Sequence, residues 1–149
     1  MLHTIFSTDN SWTGLILRLT LGIVLFPHGA QKMFGWFGGP GFSGEMHHLT
    51  QQAGLPGFVA VLVILIEFFA ALMLIAGAGT RIAAVAVIGL FIGIIWQVHA
   101  GMGFFMNWFG TMPAGHEGYE YHLLIIGLAI ALLFSGGGRF STDNLFSVN

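Results

Sequence analysis

The chain has 149 residues, 56% of them hydrophobic and only 7% charged, with a mean hydropathy of +0.86 and a formal net charge of −2 at pH 7. A water-soluble domain carries roughly 25% charged residues to solvate its surface, so four basic and six acidic residues exclude one, and without a basic run nothing is offered to a nucleic acid. The absence of cysteine excludes disulfides, thiolate metal sites and iron–sulfur ligation, leaving a bound cofactor, a quinone or a partner to carry any redox chemistry.

Lipid is therefore the expected solvent for most of the surface, and the expected fold is an all-α integral membrane protein. Residues 1–14 hold no basic residue. A secretory signal opens on a positive stretch and closes on a small-residue cleavage site, so the first apolar segment is expected to be retained. That segment covers residues 12–36, with Asp9 to Ser11 supplying N-cap candidates just ahead of it. A Gly/Pro-rich stretch follows, GGPGFSG, and then EMHHLTQQ, which suits a helix lying in the membrane interface. The second segment covers residues 57–79 and carries one charge, Glu67, near its middle. The third, residues 82–103, follows Thr80 and Arg81 and contains the small-xxx-small pair Gly89 and Gly93. The fourth, residues 119–135, ends in GGGR.

A bilayer core of ~30 Å takes about 20 helical residues. The second and third segments satisfy this outright, and the first and fourth do so when their polar ends are counted. The expectation is a single transmembrane domain over residues 1–149, folded as a four-helix bundle. Arg18, Arg81 and Arg139 then fall on the side that holds both termini, which the positive-inside bias places in the cytoplasm; Lys32 alone points the other way.

Polar residues gather at the opposite, outer ends. The first segment closes on FPHGAQKMFGWF, where His28, Gln31 and Lys32 share a helical face at spacing i, i+3, i+4. The third closes on WQVHAG, with Trp96, Gln97 and His99, and the fourth opens on HEGYEYH, with His116, Glu117, Glu120 and His122. The loop between the first two segments adds Glu45, His47 and His48. Six of the seven histidines thus lie on one side and His3 on the other. The expectation is an outer vestibule lined by His28, Gln31, Lys32, His99 and Glu120, with His122 and with Trp96 and Trp108 beside a ligand. Pro27 is expected to bend the first helix and turn its stripe inward. The bland alternative is a membrane boundary with its aromatic belt of Trp36, Trp96 and Trp108, which accounts readily for His47, His48 and His116. Glu120 and His122, two residues apart, leave a helix on different faces. No spacing matches a compact metal motif; a metal would need His28, His99 and either Glu120 or His122 from three helices, and none is expected.

Deeper in the bundle, Glu67 and Arg18 are ionisable groups within apolar helix. Such groups cost ~2.5 kcal/mol or more and face inward toward a partner. They are expected to pair, as a clamp between the first two helices or as a proton relay.

Together LRLTLGIVLFPHGAQKMFGWFGGPG, the EFF centre of the second segment, GFFMNW and GGGRFSTDN resemble the DoxX family over residues 17–144. The resemblance implies a small multi-pass protein of the bacterial inner membrane with four helices, similar to the small subunit of an archaeal thiosulfate:quinone oxidoreductase. Other members are associated with membrane redox complexes that handle oxidative or thiol stress, or with quinone detoxification. Carried over by position, Arg18, His28, Lys32, Glu67, His99, Glu120 and His122 become the functional candidates. The leading expectation is a membrane subunit of a redox or oxidative-stress system that binds a quinone or small oxidised molecule, Lys32 and a histidine donating to its carbonyl oxygens while Glu120 or His122 exchanges protons. Two alternatives stand beside it: a proton-coupled transporter built on Glu67 and Arg18, and a non-catalytic anchor for a soluble redox partner. The expected partners are the lipid bilayer, a soluble or membrane redox protein, and a second copy of the chain.

Overall fold

Ser11 begins the first helix. Its Oγ accepts the Gly14 N–H at 3.2 Å, satisfying one of the donors that a helix start leaves open. The resulting helix, α1 (Trp12–Phe34), runs unbroken through Pro27 and stops at Gly35, whose φ of 73° lets its N–H turn back to the Gln31 carbonyl. In this computed structural model residues 6, 8–113 and 115–147 are described, and His3 lies outside them. After a 3₁₀ turn (Trp36–Gly38) comes the short α2 (Gly41–His47), prolonged by a π-helical turn over His48–Gln52. Next are α3 (Gly57–Ala76), α4 (Thr80–Ile94) with a π-helical turn over Ile95–His99, α5 (Glu120–Ser135) and the single turn α6 (Asn144–Ser147). No strand occurs among the described residues.

The four long helices close a ring, with α1 against α3 and α5, α3 against α4, and α4 against α5. Leucines of α1, alanines of α3 and α4, and Ile125, Ala129 and Leu132 of α5 fill the middle. Two glycines set the register of α1 on α3. A Cβ on Gly29 would lie 2.6 Å from the Cα of Phe68, and one on Gly22 would lie 3.1 Å from the Ala71 carbonyl. Gly29 is therefore level with Glu67 and Phe68. Around Gly89 and Gly93, the expected close-approach pair, the space is open.

Outward, the helices present Ile16, Ile23, Phe69, Val85, Ile92 and Phe134. Trp12–Phe34, Gly57–Ala76 and Thr80–His99 are long and apolar enough to cross a membrane. With 16 residues α5 is shorter, about 24 Å at ~1.5 Å per residue, because the chain leaves the helix at Tyr119 to pair with the preceding loop.

One end of the bundle is tied by polar contacts. Arg18 is 2% exposed, and its guanidinium donates to the carbonyls of Leu74 (3.1 Å), Ile75 (2.6 Å), Gly137 (2.8 Å) and Arg139 (3.1 Å). The first two lie in the last turn of α3, where a helix leaves carbonyls open; the Gly77 N–H also donates to that of Leu74, at 3.2 Å. The Asp143 carboxylate accepts the Gly79 N–H at 2.6 Å and the Thr80 N–H at 2.8 Å, capping α4 with a negative charge at its positive end. Ser141 and Thr142 hydroxyls both donate to the Gly77 carbonyl.

Candidate functional site

Lys32 lies one turn beyond Gly29 on α1, so the register that seats Gly29 on Glu67 also brings the lysine to that carboxylate. Its Nζ is 2.6 Å from Glu67 Oε2 and 3.6 Å from Glu45 Oε1 of α2. Glu45 and Glu67 are 7% and 5% exposed. One ammonium thus stands between two buried carboxylates, a pairing that offsets part of the cost of desolvating all three. From α5 the buried Tyr121 hydroxyl, with no hydrogen-bond partner among the described residues, lies within the field of Glu67.

Beside this cluster a cavity of about 660 Å³ opens between α3, α4 and the 48–55 connection, within the ~300–1,000 Å³ range of small-molecule sites. Its walls are apolar: Leu62 and Ile66 of α3, Ile92 and Trp96 of α4, Leu49 and Leu55 of the connection. Lys32, Glu45, His48 and Gln97 supply its polar lining. Gly89 and Gly93 are part of the α4 wall, and the absence of side chains there makes room. Gln97 also donates to the Ala53 carbonyl at 2.9 Å, tying the connection to α4.

The expected pairing of Arg18 with Glu67 does not form. Arg18 spends its donors on carbonyls at the far end of the bundle, and Glu67 pairs with Lys32. The expected vestibule also divides. His28 is exposed on the outside of α1, and Gln31 turns to the Phe37 carbonyl at 3.3 Å, so of the stripe Lys32 alone reaches the cavity. The helix continues through Pro27 and leaves His28 facing out.

His99 and His122 meet on the other side of α4, with ring centroids 4.4 Å apart. His99 Nδ1 lies 2.6 Å from the Glu117 carbonyl and donates to it, while His122 is 8% exposed against Phe91. Glu120 accepts from the Met106 N–H and the Trp108 indole N–H, both at 3.1 Å, holding the GFFMNW loop onto α5. None of His99, Glu120, His122 and Trp108 lines the cavity, whereas Trp96 does. Among the described residues no three of His, Asp and Glu converge as metal ligands, so the three-helix grouping of His28, His99 and Glu120 or His122 is not assembled.

Glu45 is the member of the cluster expected among the outer polar residues but not among the site candidates. A signal was present: Lys32 is the chain's sole lysine, and Glu45 is the sole carboxylate of the outer connection that follows it.

A family model described as DoxX matches residues 13–100. Among curated proteins the chain is similar to "Putative oxidoreductase CatD" of Bacillus subtilis (strain 168), at 31% identity over 126 residues that cover 85% of this chain and 80% of that one. No solved structure matches the chain with significance.

Proposed function

Because the chain belongs to the DoxX family of membrane proteins, we propose that it is the membrane component of a redox system and binds a quinone in the cavity between α3 and α4. The observation that carries this reading is the joining of one apolar cavity of about 660 Å³ to one ammonium held by two carboxylates. A quinone has the matching halves, a hydrocarbon tail for the Leu62, Ile66 and Ile92 walls and a polar head for Lys32. The ammonium has three N–H donors, one of which meets Glu67 at 2.6 Å, so an N–H remains to donate to a ligand oxygen. The relative's printed name, an oxidoreductase, supports redox chemistry, and the lack of cysteine puts the electrons on the bound ligand and a partner rather than on this chain. In this reading all four long helices cross the bacterial inner membrane, and the cavity lies toward its outer side.

Trp96 lines the cavity and Trp108 does not, which gives an internal control. Titrating the purified protein with a decyl-tailed benzoquinone is expected to quench emission saturably, Trp96→Phe removing the response and Trp108→Phe keeping it. A linear, unsaturable response that is the same in both variants ends the proposal.

A further inference from the structure

Buried polar groups are hydrogen-bonded with few exceptions, and each exception asks for a reason. Glu45 is one. It is 7% exposed, it lines the cavity, and its contact to Lys32 is 3.6 Å, beyond hydrogen-bond reach. No hydrogen bond to its carboxylate exists among the described residues, and the ammonium lies closer to Glu67, at 2.6 Å. Two carboxylates bring four acceptor oxygens against the three N–H groups of one lysine. The Glu45 carboxylate is therefore an acceptor on the cavity wall that a ligand's donor can meet.

Resting on the reading that the cavity holds a quinone-type ligand, we infer that Glu45 selects the ligand's oxidation state: the site holds the reduced, hydroxyl-bearing quinol in preference to the dione. A quinone carbonyl can only accept. It would satisfy Lys32 and at the same time set its lone pairs against the oxygens of Glu45. A quinol hydroxyl does both jobs, accepting from Lys32 and donating to Glu45, and a hydrogen bond to an ionised acceptor is among the stronger ones. A bond of that kind gives a preference of about tenfold to a hundredfold. Each tenfold raises the two-electron midpoint of the bound couple by about 30 mV, so the bound form becomes the better electron acceptor. That suits a site which receives electrons from a partner and retains the product.

The test is a comparison of dissociation constants for decyl-benzoquinone and its quinol under argon, read from Trp96 emission, in the native chain and in Glu45→Gln. The native chain is expected to hold the quinol about tenfold tighter or more. Glu45→Gln, whose amide donates as well as accepts, is expected to bring the two constants together. A 5-decylresorcinol and its dimethyl ether, which differ in hydroxyl donors and resist oxidation, repeat the comparison without any variant; the resorcinol is expected to bind tighter. Saturable binding with no preference, or with the dione favoured, overturns the inference and leaves the cavity reading standing. A preference that survives Glu45→Gln removes Glu45 from it. Decylamine binding more tightly than the quinol, and losing that affinity in Glu45→Gln, makes the ligand a cation and overturns the inference too. Failure of every probe to saturate overturns both readings together.

Discussion

Lys32 decides the electrostatics of the interior because it is the cation that reaches both buried glutamates. Removing one member of a buried ion pair leaves the other charge uncompensated, at a cost of about 3 kcal/mol. Lys32→Met is accordingly expected to lower the thermal midpoint in detergent by an amount of that order, and adding Glu67→Gln is expected to recover most of the loss. Differential scanning fluorimetry of the single and double variants checks this; a double variant no more stable than Lys32→Met rejects the pairing as the source. At this scale the sequence revealed which residues were costly to bury and not which ones meet. Glu67 was legible as a buried charge that requires a partner. Arg18 looked suitable because both residues lie within apolar helix, yet pairing depends on how far one helix is slid along another. The stripe of His28, Gln31 and Lys32 has true helical spacing, but a stripe about one turn wide can face a neighbour at one edge and lipid at the other.

The elements themselves were largely readable. Apolar runs bounded by glycine give α1 and α3, each ending where a glycine takes a positive φ, at Gly35 and Gly77, while α4 runs on through Ile95 into a π-helical turn. What hydropathy cannot supply is the slide between helices, because every apolar face is equally acceptable to lipid. Backbone contact sets it instead. Gly29→Ala would drive a methyl group into the α3 backbone, where a Cβ comes within 2.6 Å of Phe68, and such overpacking costs about 1–3 kcal/mol. It is expected to destabilise the protein and to separate Lys32 from Glu67, so ligand affinity falls as well. Gly89→Ala meets nothing within 4 Å and, with glycine costing roughly 0.5–1 kcal/mol within a helix, is expected to hold or raise the thermal midpoint. Equal effects of the two alanines would show that α1 and α3 do not touch there. The loop ahead of α5 was the least legible part. Glu120 stood out as a polar residue at a helix start, but its partners, the Met106 and Trp108 N–H groups, become visible only once the loop has folded back.

Across the whole molecule, composition alone was enough to place the chain in a membrane, because so few charges cannot coat a water-facing surface. The direction of insertion rests on fewer residues. Arg18 is sequestered among carbonyls, which leaves Arg81 and Arg139 to bias one end, Arg139 stacking over Trp12 at 4.7 Å. On the positive-inside bias both are expected to favour a cytoplasmic location for that end. A fluorescent protein fused after residue 149 is expected to fluoresce in a bacterial host, and an alkaline phosphatase in the same place to be inactive; the reverse pair of results would invert the topology. The contacts of Arg18 also bear on biogenesis. Two of its four carbonyl partners, on Gly137 and Arg139, are synthesised 119 and 121 residues after it. At ~5–20 residues per second of translation, the nascent chain carries a half-satisfied guanidinium for on the order of ten seconds. Ribosome stalling or truncation before residue 137 would strand that charge among apolar helices, so an unfinished copy lacks two of the four contacts that hold the guanidinium in a finished one.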